Sequence, residues 1–551
     1  MAMLSVAPKS PDDERLGAFV DDFRRRVDST PLGVCPLVVT LTALETAAGQ
    51  TCGKCVPCRD GIPHLVELMR TLVDCDADAS VVDEMRELSQ LVRDTSDCAI
   101  GYHAADQLLA ALDAFSAEVE SHLERHACTA GIGQTVPCET GCPAHVNVPG
   151  YIALVAAGDN AGAVAMVRKD NPFPTACGLV CEHPCEAKCR RRLIDDAINI
   201  RGIKKYATDQ APADRVPVPR RSPDTGCRIA VIGGGPAGMT CAYFASLMGH
   251  RVTVFERRSK LGGMMRYGIP AYRFPRERLD EDLRAILSVG GIEVKYGAEI
   301  GTEEFEALRR DYDAVFVAIG AHTGRTLSID NIDADGVIPA VQLLGDIGDG
   351  AVPDMTGKRV VVIGGGNVAM DCSRTALRAG AREVSIVYRR RQEDMTALQS
   401  EVLSAVAEGV EMVTLEAPAA IEVDDAGHCT ALLTQPQMTG PIRNGRPSPV
   451  ALDVPQHRIP ADLILVAVGQ DIVSGPFNAA GMPTNRNRFV ADDALRVPDM
   501  PGVYAGGDCQ TGPKTVIKAI GAGKVAARNI DEYLGYHHTL PFDIAVPAPH
   551  P

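Results

Sequence analysis

Cys52, Cys55 and Cys58 stand in the run TCGKCVPCRDG, and Cys98 follows in DTSDCAIGYHAA. Three thiols at C-x2-C-x2-C bind three corners of an iron–sulfur cubane, and a distant fourth completes it. A zinc module more commonly pairs two separated C-x2-C units. A second set follows: Cys138 and Cys142 ahead of Pro143, then Cys177, Cys181, Cys185 and Cys189, with Cys128 ten residues before Cys138. Six thiols, or seven with Cys128, exceed one tetrahedral site and suggest one or two further clusters. Thirteen of the 18 cysteines fall within residues 1–189. Disulfides are a poor account of them, because a reducing compartment keeps thiols free and a core this large needs no staples. Cys35, Cys75, Cys227, Cys241, Cys372, Cys429 and Cys509 have no metal spacing and read as small core or surface residues.

Two glycine fingerprints supply a second kind of chemistry. In IAVIGGGPAGMTCAYFASLMGHRVTVFE, Gly233, Gly235 and Gly238 form G-x-G-x-x-G between a strand and a helix, and Glu256 closes the next strand. Such glycines let the backbone approach a pyrophosphate, the helix N-terminus favours its charge, and the acid takes ribose hydroxyls. In VVVIGGGNVAMDCSRTALRAGAREVSIVYRR, Gly364, Gly366 and Ala369 form G-x-G-x-x-A, but the second strand ends in Tyr388-Arg389-Arg390-Arg391. Arginine there suits the 2′-phosphate of NADPH over NADH. A solvated basic run is the other reading of Arg389 and Arg390. Near the C-terminus, PGVYAGGDC puts Gly507 and Asp508 after a strand, and TVIKAIGAGKVAARNI begins a helix at Thr515 and Val516. In flavoproteins with two dinucleotide folds, an acid at this place bonds the ribityl chain of FAD. The helix dipole would then face the flavin C2 carbonyl. FAD therefore goes to the first fingerprint and NADPH to the second.

These residues need elements to hold them. Apolar spacing in IPHLVELMRTLV, VVDEMRELSQLV and AADQLLAALDAFSAEVESHL predicts amphipathic helices over residues 62–125. Residues 128–215 read as a small, loop-rich, mostly helical unit. Buried β-runs at RIAVIGGG and RVVVIGGG begin two βαβ folds. The expected fold is α/β, with two Rossmann-like dinucleotide-binding domains preceded by two small, mostly α-helical iron–sulfur domains. In residues, the expectation is iron–sulfur domains at 1–127 and 128–215, and an FAD domain at 216–356 and 470–535. That FAD domain is split by an NADPH domain at 357–469, and an extended arm occupies 536–551. RVPVPRRSPDTG reads as a linker.

Composition narrows the class further. A net charge of −16, aromatics at 4% and no Trp exclude a nucleic-acid partner that needs basic clusters and stacking platforms. No secretory or twin-arginine signal is read at the N-terminus, and no apolar run is long enough to span a bilayer. A cytoplasmic protein without membrane insertion is expected.

The region from about 128 to 535 resembles the NADPH-oxidising small subunit of glutamate synthase and the FAD/NADPH half of dihydropyrimidine dehydrogenase. CPAHVNVPGYIALVAAGD, NPFPTACGLVCEHPCEAKCRR, VIGGGPAGM, LGGMMRYGIPAYRFP, AVFVAIGAH, VIGGGNVAMD, YRRRQEDMTA and GVYAGGDC carry the resemblance. It implies two [4Fe-4S] clusters before the FAD fold, with Cys138, Cys142, Cys181, Cys185 and Cys189 at matching positions, and it adds Gly263 and Arg266 to the cofactor-binding residues. The chain departs from the family's C-x2-C-x4-C-x3-C-P, whose leading pair is missing, unless Cys128 or Cys177 substitutes. Where some relatives supply a Gln or Glu ligand, this chain has Lys204 or Lys205. The segment from about 35 to 126 is similar to the C-terminal iron–sulfur domain of the NADH-binding flavoprotein subunit of complex I and soluble hydrogenases, through CGKCVPCRDG and SDCAIG. That resemblance implies one more [4Fe-4S] cluster, so two or three in all.

The expected reaction is hydride transfer between nicotinamide and flavin, followed by one-electron steps; no side-chain acid or base is required, so no catalytic residue is assigned. A disulfide reductase would need a cysteine pair against the flavin, and RRSKLGGMMRYGIP has none. The extra N-terminal cluster points to an outward electron path: a subunit of a hetero-oligomer moving electrons between NAD(P)H and ferredoxin or a redox partner subunit, with bifurcation among the options. A glutamate synthase small subunit and a noncatalytic iron–sulfur scaffold are the alternatives.

Overall fold

The computed structural model describes residues 35–124, 126, 128, 136–443 and 446–538. The N-terminal stretch 1–34 and the arm from residue 539 onward lie outside them. The described residues form two compact units, one up to Val136 and the other from Pro137 onward.

The first unit is helical. Leu65, Val66, Met69 and Leu72 recur at helical spacing along Ile62–Val73 and are buried against Met85 and Val92 of Ala79–Thr95 and Leu108 of Ala99–Ala114. Asp78 starts Ala79–Thr95 by accepting the Ser80 amide. A further helix, Pro36–Gly49, precedes the residues for which the apolar pattern predicts helices, and buries Leu37 and Leu44 in the same core. Pro57–Gly61 is a π-helical turn running straight into Ile62–Val73.

The second unit opens with short helices, Val148–Ala156, Asn160–Arg168, Pro174–Val180 and Ile200–Gln210 among them. Asn147, Asp159 and Asn199 each cap one by accepting the amide of a glycine three residues on, at 2.8, 2.7 and 2.9 Å. Helices this short need such caps, since they form few internal bonds.

Two parallel sheets follow. The first has the spatial order Val503–Ala505, Ala314–Val317, Arg228–Ile232, Arg251–Glu256, Ile292–Tyr296. Its edge strand thus comes from nearly 200 residues beyond its neighbour. The second sheet runs Val337–Pro339, Leu463–Val466, Arg359–Ile363, Glu383–Tyr388, Glu411–Thr414. Val337–Pro339 therefore belongs with the second fold, although the sequence reading groups it with the first. An antiparallel sheet of Glu416–Val423, Cys429–Arg443, Arg446–Ala451 and His457–Pro460 is appended to it. The short pair Thr323–Gly324 and Gln470–Asp471 lies where the chain passes between folds. No helix among the described residues is long and apolar enough to cross a membrane.

Candidate redox centres

The first fingerprint lies on the turn from Arg228–Ile232 into helix Pro236–Leu247. Gly233 has φ +110, and a Cβ there would sit 2.4 Å from the Ala318 carbonyl oxygen, so only glycine fits. Gly235, by contrast, has only the Gly263 Cα within 4 Å of a built Cβ, at 3.7 Å. Its missing side chain is not demanded by protein neighbours; the space lies in the cleft that both residues line. Glu256 is buried at the end of its strand and accepts the amides of Gly234 and Arg258, each at 2.8 Å. That double contact fixes the carboxylate at the cleft wall.

The opposite wall comes from the far end of the chain. Gly507 adopts φ +78 and leads into Asp508, which accepts the Lys514 amide at 3.0 Å. Burial pushes the Asp508 carboxyl up to about 6, against the Lys514 amide and charge. Thr515 caps helix Val516–Tyr533 through the Lys518 amide, and Thr515 and Val516 both line the cleft. A Thr515→Val variant is expected to lose about 1 kcal/mol of stability, read by denaturant unfolding, because the cap acceptor is removed. Gly523 lets this helix touch the fingerprint helix, since a Cβ there would lie 2.3 Å from the Ala237 carbonyl oxygen. Gly521 does the same toward the Pro143 carbonyl oxygen, at 2.4 Å, one residue after Cys142 in the chain. Arg266 does not line this cleft: its Nε donates to the Leu261 carbonyl at 2.7 Å and its guanidinium pairs with Asp280. His322 does line it, and burial, with Arg257 and Arg258 nearby, lowers its imidazole to about 4. It closes the run AVFVAIGAH, which carries the family resemblance without assigning this histidine a role.

The second fingerprint repeats the geometry. Gly364 has φ +143 with a Cβ position 2.3 Å from the Ala467 carbonyl oxygen, Gly366 starts helix Asn367–Arg378, and Ala369 is buried beneath. The arginines after Tyr388 divide. Arg390 donates through Nε to the Pro447 carbonyl at 2.8 Å and Arg391 pairs with Asp394 at 2.9 Å, whereas Arg389 is exposed with no partner among the described residues. The two folds are tied by Arg273, which contacts Asp371 at 2.7 Å and Glu401 at 2.8 Å. Both Arg273 and Asp371 are largely buried, so removing either leaves an uncompensated charge.

The cleft also reaches the cysteine-rich segment. Val180 and Glu182, on either side of Cys181, line it together with Asn367. Asn367 donates to Glu182 at 3.1 Å and accepts the Leu398 amide at 2.9 Å. Cys181 and Cys177 share a hydrogen bond, and Cys181 is the member held down, by Cys177 first and then by Lys204 and the His183 amide. Burial pushes the Cys185 thiol up to about 12, with Cys181 and Cys142 adding to the rise. Lys204 is buried among these thiols; burial opposes its charge, but Tyr151, Cys177, Cys181 and Cys142 together hold it above the usual lysine range. Lys205 instead pairs with Asp209 at 2.5 Å on the surface. Burial also raises the thiol of Cys138, whose thiol neighbour is Cys189. Cys142, Cys177, Cys181 and Cys185 thus surround Lys204, and Cys138 neighbours Cys189.

In the N-terminal unit, Cys58 is buried on the π-turn and Cys98 is the residue before helix Ala99–Ala114. Burial raises the Cys58 thiol, and Cys55, Cys98 and Cys52 act on it next, so the four converge. Amides of Asp97 and Cys58 hold the Cys55 thiol down. Amide-lined, partly exposed thiols of this kind suit thiolate ligation. Cys128 also lies in this unit, its Sγ 3.3 Å from Glu118 Oε1.

Comparison with known proteins agrees with this arrangement. Residues 227–523 match the family described as pyridine nucleotide-disulphide oxidoreductase, more than half of the chain. The chain belongs to this oxidoreductase family. Residues 38–122 match the NADH-ubiquinone oxidoreductase-F iron–sulfur binding region, and residues 113–216 the 4Fe-4S domain II of dihydropyrimidine dehydrogenase. The NADP(+)-dependent formate dehydrogenase subunit beta of Moorella thermoacetica is 32% identical, over 92% of this chain and 81% of that one. The NADPH-Fe(3+) oxidoreductase subunit beta of Geobacter sulfurreducens is also 32% identical, over 88% and 77%. The glutamate synthase (NADPH) small chain of Escherichia coli is 33% identical, over 72% and 88%.

As a member of this family, the protein is an iron–sulfur flavoprotein oxidoreductase that uses FAD, NAD(P)H and [4Fe-4S] clusters. The residues present fit those groups: glycine-lined space at Gly235 and Gly263, a half-buried acid at Asp508 on the cleft wall, and thiols gathered in both units. No cysteine lines the cleft among the described residues, so the disulfide chemistry in the family's name has no thiol pair there.

Proposed function

We propose that this chain is the NADPH-side electron-transfer subunit of a larger cytoplasmic complex, exchanging electrons with a ferredoxin or a partner redox subunit. Bound FAD and clusters would supply hydride acceptance and one-electron transfer. The chain's own residues do the positioning. Gly233, Gly235, Gly263 and Glu256 would hold the FAD pyrophosphate and ribose, Asp508 the ribityl chain, and Gly364, Gly366 and Arg389 the dinucleotide of NADPH. Arg273 and Asp371 would keep the two folds in register, and Val180 and Glu182 on the cleft wall support a place for Cys181 near the flavin.

The observation that carries this reading is the N-terminal unit. The match over residues 38–122 adds a cluster domain, and the formate dehydrogenase and Fe(3+) oxidoreductase subunits align over 88% or more of the chain, against 72% for the glutamate synthase small chain. The test is anaerobic affinity purification from the native cell with iron, sulfide and flavin analysis. Copurification of a redox subunit, with flavin bleaching on NADPH addition, is expected. Copurification of a large amidotransferase subunit with glutamate formation would replace this reading with the glutamate synthase one.

Cofactor choice has its own test. Arg389→Glu is expected to lower kcat/KM for NADPH about 10- to 100-fold while leaving NADH turnover within about twofold, because a charge-assisted contact contributes about 1.5–3 kcal/mol. Equal effects on both cofactors would return Arg389 to the solvated surface.

A further inference from the structure

The N-terminal unit carries a second cluster of metal-binding side chains, none of them among Cys52, Cys55, Cys58 and Cys98. Cys35 Sγ, Glu118 Oε1, His122 Nε2 and Cys128 Sγ all lie within 4.8 Å of one another. Cys35 Sγ is 3.6 Å from His122 Nε2 and 3.8 Å from Glu118 Oε1. Glu118 Oε1 is 3.4 Å from His122 Nε2 and 3.3 Å from Cys128 Sγ. A tetrahedral zinc ion with Zn–S of about 2.3 Å and Zn–N or Zn–O of about 2.0 Å requires donor separations of about 3.3–3.8 Å. The observed spacings match that requirement.

Three further observations point the same way. Glu118 and His122 are four residues apart on helix Ser116–Glu124, so they share one face of it. His122 is only 1% exposed, and its Nδ1 lies 2.9 Å from the Leu72 carbonyl oxygen. That carbonyl can only accept, so Nδ1 carries the proton and Nε2 presents its lone pair to the other three donors. A backbone carbonyl on the far ring nitrogen is the usual support of a metal-bound imidazole. Cys35 is buried at the start of Pro36–Gly49 whereas Cys128 is exposed, so an ion could enter from the Cys128 side. Cys75 lies on the opposite edge of the ring, 3.3 Å from Nδ1, outside the set.

We propose that Cys35, Glu118, His122 and Cys128 form a structural zinc site, separate from the iron–sulfur clusters, that ties the start of helix Pro36–Gly49, helix Ser116–Glu124 and Cys128 together. Four protein donors leave no open position, which fits a structural ion.

The test uses the full chain purified anaerobically without chelators. Metal analysis is expected to give about one zinc per chain beside the iron. Zinc-edge X-ray absorption should show two sulfur neighbours at about 2.3 Å and two nitrogen or oxygen neighbours at about 2.0 Å. Cys35→Ser and His122→Ala should each lower zinc more than tenfold with iron and flavin content unchanged, and Cys75→Ser should keep it. Wild-type chain with zinc below about a tenth of an equivalent after growth in zinc-supplemented medium would overturn the site. A sulfur-only shell, or zinc lost from Cys75→Ser but kept in Cys35→Ser, would overturn the donor set. The absorption spectrum of the wild-type chain decides the matter even if a variant fails to fold.

Discussion

A Gly238→Ala variant is expected to purify with less than about a tenth of the wild-type flavin and to unfold several degrees lower. A Cβ at this position would sit 1.9 Å from the Gly233 carbonyl oxygen and 3.1 Å from Val231 Cγ1. Both neighbours are fixed, one as backbone of the fingerprint turn and the other as the inner face of a central strand. Helix Pro236–Leu247 would have to lift away from the sheet. It cannot do so freely, because on its other side Val516–Tyr533 is packed against it through Gly523. Overpacking of this kind costs about 1–3 kcal/mol in an ordinary core, and here it also turns the amides of the helix N-terminus away from the cleft. Gly235→Ala separates the two effects. Its Cβ meets only ordinary contact within the protein, so the flavin-free chain should keep its unfolding temperature and lose flavin alone. Flavin absorbance and thermal unfolding of the two variants side by side test this. Wild-type flavin content in Gly235→Ala would mean that the cleft above Gly235 does not hold the pyrophosphate.

The contrast between Gly238 and Gly235 also shows what a sequence can carry. Both glycines belong to one motif, and the motif alone was enough to locate the strand, the turn and the helix, because the steric and electrostatic needs of a pyrophosphate are local. Asp508 was legible for the same reason, sitting between a strand and a helix. Partners set by long-range pairing were not. Val337–Pro339 is three residues long and reads as loop; only its pairing with Leu463–Val466, more than 120 residues on, places it in the second sheet. Arg266 stands in a motif that resembles its relatives, yet which way a long side chain turns depends on Asp280 and the Leu261 carbonyl, which no spacing reveals. Cys35 has no ligand spacing along the chain, and its neighbours Glu118 and His122 lie more than 80 residues away. Arg389, Arg390 and Arg391 are equal in sequence, and the Pro447 carbonyl on a distant strand and Asp394 three residues on make them unequal.

Lys204 is the residue whose replacement should most change the cysteine-rich segment of the second unit. The sequence position suggested a ligand in relatives, but the side chain here is an ammonium buried among Cys142, Cys177 and Cys181 and set 5.7 Å from the Tyr151 ring centroid. A buried cation facing several thiolates stabilises their charged form, and deleting it leaves those charges uncompensated, at a cost of about 3–5 kcal/mol. The same field acts on any cluster the thiols hold. One positive charge about 6 Å away at an effective dielectric of about 20 is worth about 3 kcal/mol, or about 100 mV for a one-electron couple. Reduction adds negative charge, so the lysine raises the potential and its loss lowers it. Lys204→Met is therefore expected to purify with reduced iron content, and the clusters that remain should titrate about 100 mV lower by EPR-monitored reduction. Lys204→Arg keeps the charge and should move the potential far less. If Lys204→Arg shifted it as much as Lys204→Met, the amine itself, and not its charge, would be what the cluster needs, and Lys204 would be acting as a ligand.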